Sequence, residues 1–205
     1  MTKIKICGIT NKRDAIAAAE LRPDMMGFVF YDGSKRYVEP KIVRDIANEL
    51  PPFVAKVGVF VDMDKNKVLE IAEECALEML QFHGDEDPDY CAGFKGSYKV
   101  IKAFRIKDRG SLKGINDYNA DFYMLDAYSF KGKGGTGESF DRNIIESFEF
   151  LKPVILSGGL TPDNVRDAIE RLSPYGVDVS SGVEISPGKK DIPLMKKFME
   201  NVRKA

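Results

Sequence analysis

Tryptophan is absent, which excludes little, and histidine occurs once, at His83. One imidazole is too few for a histidine-rich metal centre or a relay of several histidines. Cysteine occurs three times, at Cys7, Cys75 and Cys91, with no C-x-x-C pair and no zinc-like spacing to the histidine. Three thiols cannot all pair with one another, so no disulfide framework is expected and a reducing compartment fits. Neither sign of charge is in excess: 31 Lys and Arg stand against 32 Asp and Glu, a net charge of −1. The broad basic surface that a phosphate backbone needs is missing, so no nucleic-acid partner is expected. No apolar run approaches the roughly 18 to 20 residues of a membrane-spanning helix. The opening MTKIKICGIT also lacks the apolar core of a signal peptide. No membrane partner and a cytoplasmic location are the expectations.

Apolar types make up 43% and charged types 31% of 205 residues, an ordinary globular balance. That length suits one domain, and composition hardly shifts along it, so residues 1–205 read as a single domain. Short β-rich runs alternate with amphipathic helical runs. The strand candidates are Lys3–Cys7, Met25–Phe30, Val54–Phe60, Glu78–Phe82, Tyr98–Phe104, Asp121–Asp126, Pro153–Ser157 and Val177–Ser180. Several, such as MGFVF and VGVFV, are nearly continuous apolar runs, as parallel strands covered on both faces require. Between them Ile42, Val43, Ile46, Ala47 and Leu50 mark one helix face, as do Val165, Ala168, Ile169 and Leu172, and Leu194, Met195, Phe198, Met199 and Val202. Thr161-Pro162-Asp163 predicts an N-cap followed by proline at the first helical position. The slots near Asp87–Phe94 and Arg142–Phe150 predict short helices. An open doubly wound sheet and a closed (β/α)8 TIM barrel both fit this alternation; eight units ending in a helix favour the barrel.

In such barrels the chemistry gathers at the C-terminal ends of the strands. The residues there are Cys7, Ser34-Lys35-Arg36, Asp62, His83, Arg105, Asp126, Ser157-Gly158-Gly159 and Ser180-Ser181-Gly182. Glycine-rich turns let backbone N–H groups approach an anion, and a phosphate site after strands seven and eight is frequent in this fold. Gly158-Gly159 and Ser180-Ser181-Gly182 are therefore expected to hold a phosphate; simple tight turns are the plain alternative. Gly132 to Gly137 satisfies G-x-G-x-x-G, but it lies several residues past its strand and polar residues follow it, so a dinucleotide site is not expected. A loop over the mouth and an ordinary surface loop both remain open for it. Arg36 suits bidentate recognition of a carboxylate, against a solvated arginine. Cys7 is either a small buried apolar residue or, as a thiol of ordinary acidity, a group able to take up a proton. Asp126 is a turn aspartate or a proton donor, the latter needing desolvation or a negative neighbour to stay protonated. Cys75 and Cys91 read as packing residues. His83 reads as a structural group or a ligand contact.

At these residues a resemblance becomes specific. KICGIT at 5–10, GFVF with SKRYV at 27–38, VGVFV at 57–61, LQFHGDE at 80–86, LDAY with GGTG and FD at 125–141, LSGGLTPDNV at 156–165 and VDVSSGVE with PGKKD at 177–191 occur in this order. Together they resemble the phosphoribosylanthranilate isomerase family, sugar isomerases of tryptophan biosynthesis, over essentially the whole chain. Asp141-Arg142 departs locally, since the family often has an aromatic residue after F-D; no catalytic role falls there. The resemblance implies an Amadori rearrangement of N-(5-phosphoribosyl)anthranilate without cofactor or metal, the substrate nitrogen itself delocalising the developing charge. It also implies Asp126 as the general acid at the ring oxygen and Cys7 as the general base at the sugar C2. Arg36 would hold the anthranilate carboxylate, His83 would contact the ligand, Asp178 a sugar hydroxyl, and Gly158, Gly159, Ser180, Ser181 and Gly182 the phosphate. A small-molecule substrate is the expected partner, with monomer and homodimer both open. Another phosphosugar barrel, such as the histidine-pathway isomerase, is the alternative enzyme, but that enzyme is known for a pair of aspartates, and Cys7 in place of the first argues against it. A barrel that only binds a phosphometabolite is the alternative outside catalysis, and Cys7, Asp126 and Arg36 together argue against it.

Overall fold

In the computed structural model, which describes residues 1–127, 145 and 147–205, eight parallel strands close on themselves in chain order. They are β1 (Lys3–Cys7), β2 (Met25–Val29), β3 (Ala55–Phe60), β4 (Met79–Phe82), β5 (Lys99–Ile106), β6 (Phe122–Ala127), β7 (Val154–Ser157) and β8 (Gly176–Val179). All eight expected strands are present within one or two residues. The closing pair sets Lys5 opposite Asp178, and β1 meets β2 with Cys7 opposite Gly27. This is the (β/α)8 barrel rather than the open sheet.

The helices among the described residues are α1 (Lys12–Glu20), α2 (Pro40–Ala47), α3 (Lys65–Glu74), α4 (Pro88–Ala92), α5 (Val165–Leu172) and α6 (Ile192–Arg203). Most begin where the sequence supplies an acceptor for an orphan backbone N–H. Asn11, Asp64, Asp87 and Asp191 each accept such a bond, from Asp14, Asn66, Tyr90 and Leu194 respectively. The expected start of α5 needs correction. Thr161 Oγ1 accepts from the Asp163 N–H at 3.3 Å, which makes a turn, and the helix begins at Val165. The reason lies in Asn164, whose Oδ1 accepts from the Thr161 N–H at 2.7 Å while its Nδ2 donates to the Gly159 carbonyl at 3.0 Å. That side chain ties the loop after β7 into a compact unit ahead of the helix. The loop at Gly132–Gly137, Asp141-Arg142 and part of the helical slot at Arg142–Phe150 lie outside the described residues.

Two apolar layers follow from the alternation of each strand. Outward residues pack under the helices, where α5 buries Val165, Ala168 and Ile169, and α6 buries Met195, Phe198, Met199 and Val202. Inward residues such as Met25, Val57, Met79, Ile101, Met124 and Ile155 fill the lumen. Phe30, Phe60 and Phe82, at or just past the ends of β2, β3 and β4, form an outward row, with ring centroids 5.3 and 6.4 Å apart; Phe94 continues it at 4.9 Å from Phe82. Truncating an aromatic side chain in packing of this kind costs about 3–5 kcal/mol. The row therefore anchors three consecutive strand ends below the rim.

Candidate active site

Alternation places residues two apart on the same side of a strand. Lumen packing by Met79, Met124 and Ile155 puts Gln81 and His83, Asp126, and Ser157 on the inward side towards the C-terminal rim. Lys5 and Cys7 share a face on β1, as Asp178 and Ser180 do at β8. Polar groups gathered inside an apolar barrel need partners, and most of these find them in one another. The Lys5 ammonium, fully buried, donates to Asp178 Oδ1 at 2.7 Å. Ser157 Oγ donates to Asp178 Oδ2 at 3.0 Å. Ser157 is in register with Asp126, and Asp126 Oδ2 lies 3.2 Å from His83 Nε2. His83 Nδ1 lies 3.0 Å from Gln81 Nε2. Two polar groups result, one across β1, β8 and β7 and one across β6 and β4, set side by side by the Ser157–Asp126 register.

Cys7 stands beside the first of these groups, 7% exposed. Burial pushes its thiol above the ordinary value, and the neighbouring Lys5 ammonium pulls the other way without cancelling it. The sequence reading of a thiol with ordinary acidity is corrected here: apolar walls on the rim disfavour the thiolate. For Lys5, burial opposes the charge, but Asp178 and the Cys7 side chain together outweigh it and raise its pKa. Gly27 makes room for both groups. A Cβ there would stand 2.6 Å from Cys7 Sγ and 3.0 Å from Lys5 Nζ, too close for any side chain. Cys75 and Cys91 are buried, and each thiol is pushed up to about 12, chiefly by desolvation. Both are inert packing residues, as expected.

Arg36 is not a free surface arginine. Its Nε donates to Glu184 Oε1 at 2.9 Å and its Nη2 to Glu184 Oε2 at 2.6 Å. Glu184 opens β9 (Glu184–Ser186), which pairs antiparallel with β10 (Lys189–Lys190) in a hairpin beyond β8. From β10, the buried Lys190 ammonium donates to Glu184 Oε1 at 2.8 Å, to the Cys7 carbonyl at 2.5 Å and to the Ser180 carbonyl at 3.2 Å. One cation therefore knits the ends of β1 and β8 to the hairpin that holds Arg36. Glu184 is depressed below the ordinary carboxylate range: burial opposes this, but Arg36 and Lys190 together prevail. With one edge of the guanidinium held by Glu184, the Nη1 edge is the one turned to other uses, a fork that matches a carboxylate.

The two loops expected to hold phosphate lie side by side. Gly158 and Gly159 have φ of 90° and 70°, a left-handed pair that only glycine adopts cheaply. A Cβ on Gly182 would overlap the Leu160 carbonyl, so the loops after β7 and β8 touch. Ser181 and Gly182 begin a short turn, and Ser180 Oγ is buried with no hydrogen-bond partner among the described residues. The arrangement presents backbone N–H groups and one unused hydroxyl beside the polar group centred on Asp178. Among the described residues no cluster of His, Cys, Asp and Glu has the makings of a metal site, and no helix is long and apolar enough to cross a membrane.

Sequence reasoning missed Lys5, Gln81, Glu184 and Lys190. Lys5 and Gln81 carry a recoverable signal: each is a polar residue two positions before a candidate on the same strand, in KIC and QFH, and so shares its face. Glu184 and Lys190 carry none, since a charged hairpin past the last strand looks like solvated surface.

Comparison with known proteins agrees with this geometry. A family model described as N-(5'phosphoribosyl)anthranilate (PRA) isomerase matches residues 4–201. The N-(5'-phosphoribosyl)anthranilate isomerase of Geobacter sp. (strain M21) is 46% identical over 204 residues, covering 100% of this chain and 99% of that protein. The crystal structure of phosphoribosyl anthranilate isomerase from Thermotoga maritima is similar with a TM-score of 0.90 at 40% identity, covering 100% of both chains. A phosphoribosyl anthranilate isomerase solved in complex with reduced 1-(o-carboxyphenylamino)-1-deoxyribulose 5-phosphate gives a TM-score of 0.86 at 38% identity, again over 100% of both chains.

Proposed function

Since the chain belongs to the family of N-(5'-phosphoribosyl)anthranilate isomerases, we propose that the Amadori rearrangement it performs in tryptophan biosynthesis is run by Asp126 as general acid and Cys7 as general base. Asp126 donates a proton to the furanose ring oxygen, and the bond from that oxygen to the anomeric carbon breaks. The nitrogen lone pair forms the Schiff base that takes up the charge. Cys7, as thiolate, removes the proton from the sugar C2, and the electrons of that bond flow to the cationic nitrogen. The enolamine so formed tautomerises to the ketone, 1-(2-carboxyphenylamino)-1-deoxyribulose 5-phosphate. Protons move and the carbon skeleton does not change; each proton transfer by a positioned group contributes about 10² to 10⁴ in rate.

Two anionic anchors orient the sugar between acid and base. The phosphate lies over Gly158, Gly159, Ser181 and Gly182, with Ser180 Oγ as a further donor, and the anthranilate carboxylate takes the open edge of Arg36. Holding both ends converts binding energy into orientation at the reacting carbons. His83 steers the Asp126 carboxyl, and Asp178, held by Lys5 and Ser157, contacts a sugar hydroxyl. One observation carries the assignment: Cys7 and Asp126 lie at the C-terminal ends of strands of one closed barrel, Cys7 beside the Lys5–Asp178–Ser157 group and Asp126 beside His83, with Ser157 and Asp126 in register on neighbouring strands. A fluorescence assay following loss of phosphoribosylanthranilate, run with a chelator present, tests it. Cys7→Ala and Asp126→Asn are each expected to lower turnover at least about a hundredfold with little change in product affinity. Near-wild-type turnover in either variant removes the role given to that residue.

A further inference from the structure

Gln81 is 1% exposed, and its Oε1 is buried with no hydrogen-bond partner among the described residues. Its Nε2 is spent on His83 Nδ1 at 3.0 Å. An amide nitrogen donates only, so in this arrangement Nδ1 accepts, the ring proton sits on Nε2, and Nε2 donates to Asp126 Oδ2. That is the polarity of a chain ending on an ionised carboxylate. Turning the Gln81 amide by half a revolution exchanges two ends of nearly equal size. Oε1 then faces Nδ1 and accepts its proton. Nε2 of the ring is left to share one further proton with Asp126, carried on either atom. The two arrangements differ by one proton on the His83–Asp126 pair, and each leaves one end of the amide unpartnered in the barrel wall. Neither orientation is locked by a second partner, so the state of the pair decides between them.

We infer that Gln81 is a positioning residue whose amide turns as the His83–Asp126 pair gains or loses its proton, and so fixes which ring nitrogen of His83 is protonated when Asp126 is ready to donate. The inference deepens the proposed mechanism and rests on Asp126 being the general acid. Gln81 itself touches no substrate; it lies behind His83 in the lumen, in register with Val59 and Ile101. Other charges face the pair from several elements among the described residues. Arg105 on β5 is in register with Asp126 and reaches the His83 carbonyl at 3.4 Å. Lys5 and Asp178 on β1 and β8 are paired with each other, as are Lys102 and Glu86 around Gly84. Asp62 accepts from the Asp85 N–H in the neighbouring loop. None of them changes when residue 81 is replaced, so their effects are common to wild type and variants.

The sole histidine of the chain makes the test direct. In full-length protein labelled with ¹⁵N in histidine, NMR reads both ring nitrogens of one residue. On the alkaline side of the pair's titration, Nδ1 is expected to be the unprotonated nitrogen and Nε2 the protonated one; on the acid side Nδ1 becomes protonated. Two substitutions should move that titration by different amounts. Gln81→Glu presents only an acceptor to Nδ1 and keeps the pair loaded, shifting its midpoint, and the alkaline fall of kcat/KM, up by about one pH unit or more. Gln81→Leu removes the acceptor of the loaded form and the donor of the unloaded form alike, so the two losses offset and both midpoints stay within about half a unit of wild type, apart from those of Gln81→Glu. General damage to the barrel would lower activity without moving the two midpoints apart. The inference is overturned if Nδ1 stays in one state throughout, or if both variants shift together or not at all. Should the NMR behaviour hold while Asp126→Asn keeps full activity, Gln81 still sets the pair and the role of Asp126 as acid is what fails.

Discussion

Replacing Lys5 with methionine separates two effects of one buried charge. The ammonium has no exposure and makes its 2.7 Å bond to Asp178, while also lying within hydrogen-bonding reach of the Cys7 thiol. Removing it leaves the Asp178 carboxylate in the lumen with only the Ser157 hydroxyl as partner. Breaking a buried pair by deleting one member costs about 3–5 kcal/mol. At about 2–4 °C per kcal/mol for a chain of this size, the melting temperature should fall by about 6–20 °C. The second effect concerns the thiol. Burial already holds Cys7 above its ordinary value, so at neutral pH the thiol form dominates and the base form grows about tenfold per pH unit. Loss of the cation with the larger effect on the thiol, with Asp178 now uncompensated and Lys190 remaining, raises Cys7 further. An opposite charge at such range is worth about 1–3 pH units, so the ascending limb of kcat/KM should move up by that amount. Below the limb the loss is about 10- to 1,000-fold, and raising the pH should recover it. In Lys5→Met/Asp178→Asn a neutral amide replaces the stranded carboxylate, so stability should partly return and the limb should fall between wild type and the single variant. The measurements are thermal unfolding and a pH profile of kcat/KM by fluorescence. An ascending limb at the wild-type position in both folded variants would refute the argument that Lys5 sets the acidity of the base.

Other expectations follow from the two anion anchors. Arg36→Met should raise KM with little change in kcat, and Glu184→Gln should do the same to a smaller extent by loosening the guanidinium; an unchanged KM in Arg36→Met would clear that residue of the carboxylate. Inorganic phosphate should inhibit competitively with substrate, less strongly in Ser180→Ala. Absence of competition in the wild type would count against the loops after β7 and β8.

Most of the fold was legible from periodicity. Parallel strands buried on both faces read as apolar runs, and amphipathic stripes such as that of Val165 to Leu172 mark the helices between them. The start of α5 was misread because Thr-Pro-Asp satisfies a helix cap by composition, while Asn164 uses both ends of its amide on the loop before it. Of the candidate site, residues at strand ends were legible because the barrel has one functional rim. Their supporting partners were not, because Glu184 and Lys190 become buried only when the hairpin folds back onto the ends of β1 and β8.

The chain order of apolar runs determined by itself eight strand–helix units and which residues follow each strand, and the quoted motifs carried the resemblance to the family. The units follow from side-chain alternation and burial, which are local properties; closure into a barrel rather than an open sheet is seen in the structure. Only the tertiary structure decided the electrostatics of the rim. It set Lys5 against Asp178 across the closing strands, raised Cys7 by enclosing it, turned Arg36 onto Glu184, and joined Gln81, His83 and Asp126 into one chain. Each of these depends on charges far apart in sequence sharing a medium of low dielectric, and that sharing exists only once the sheet has closed.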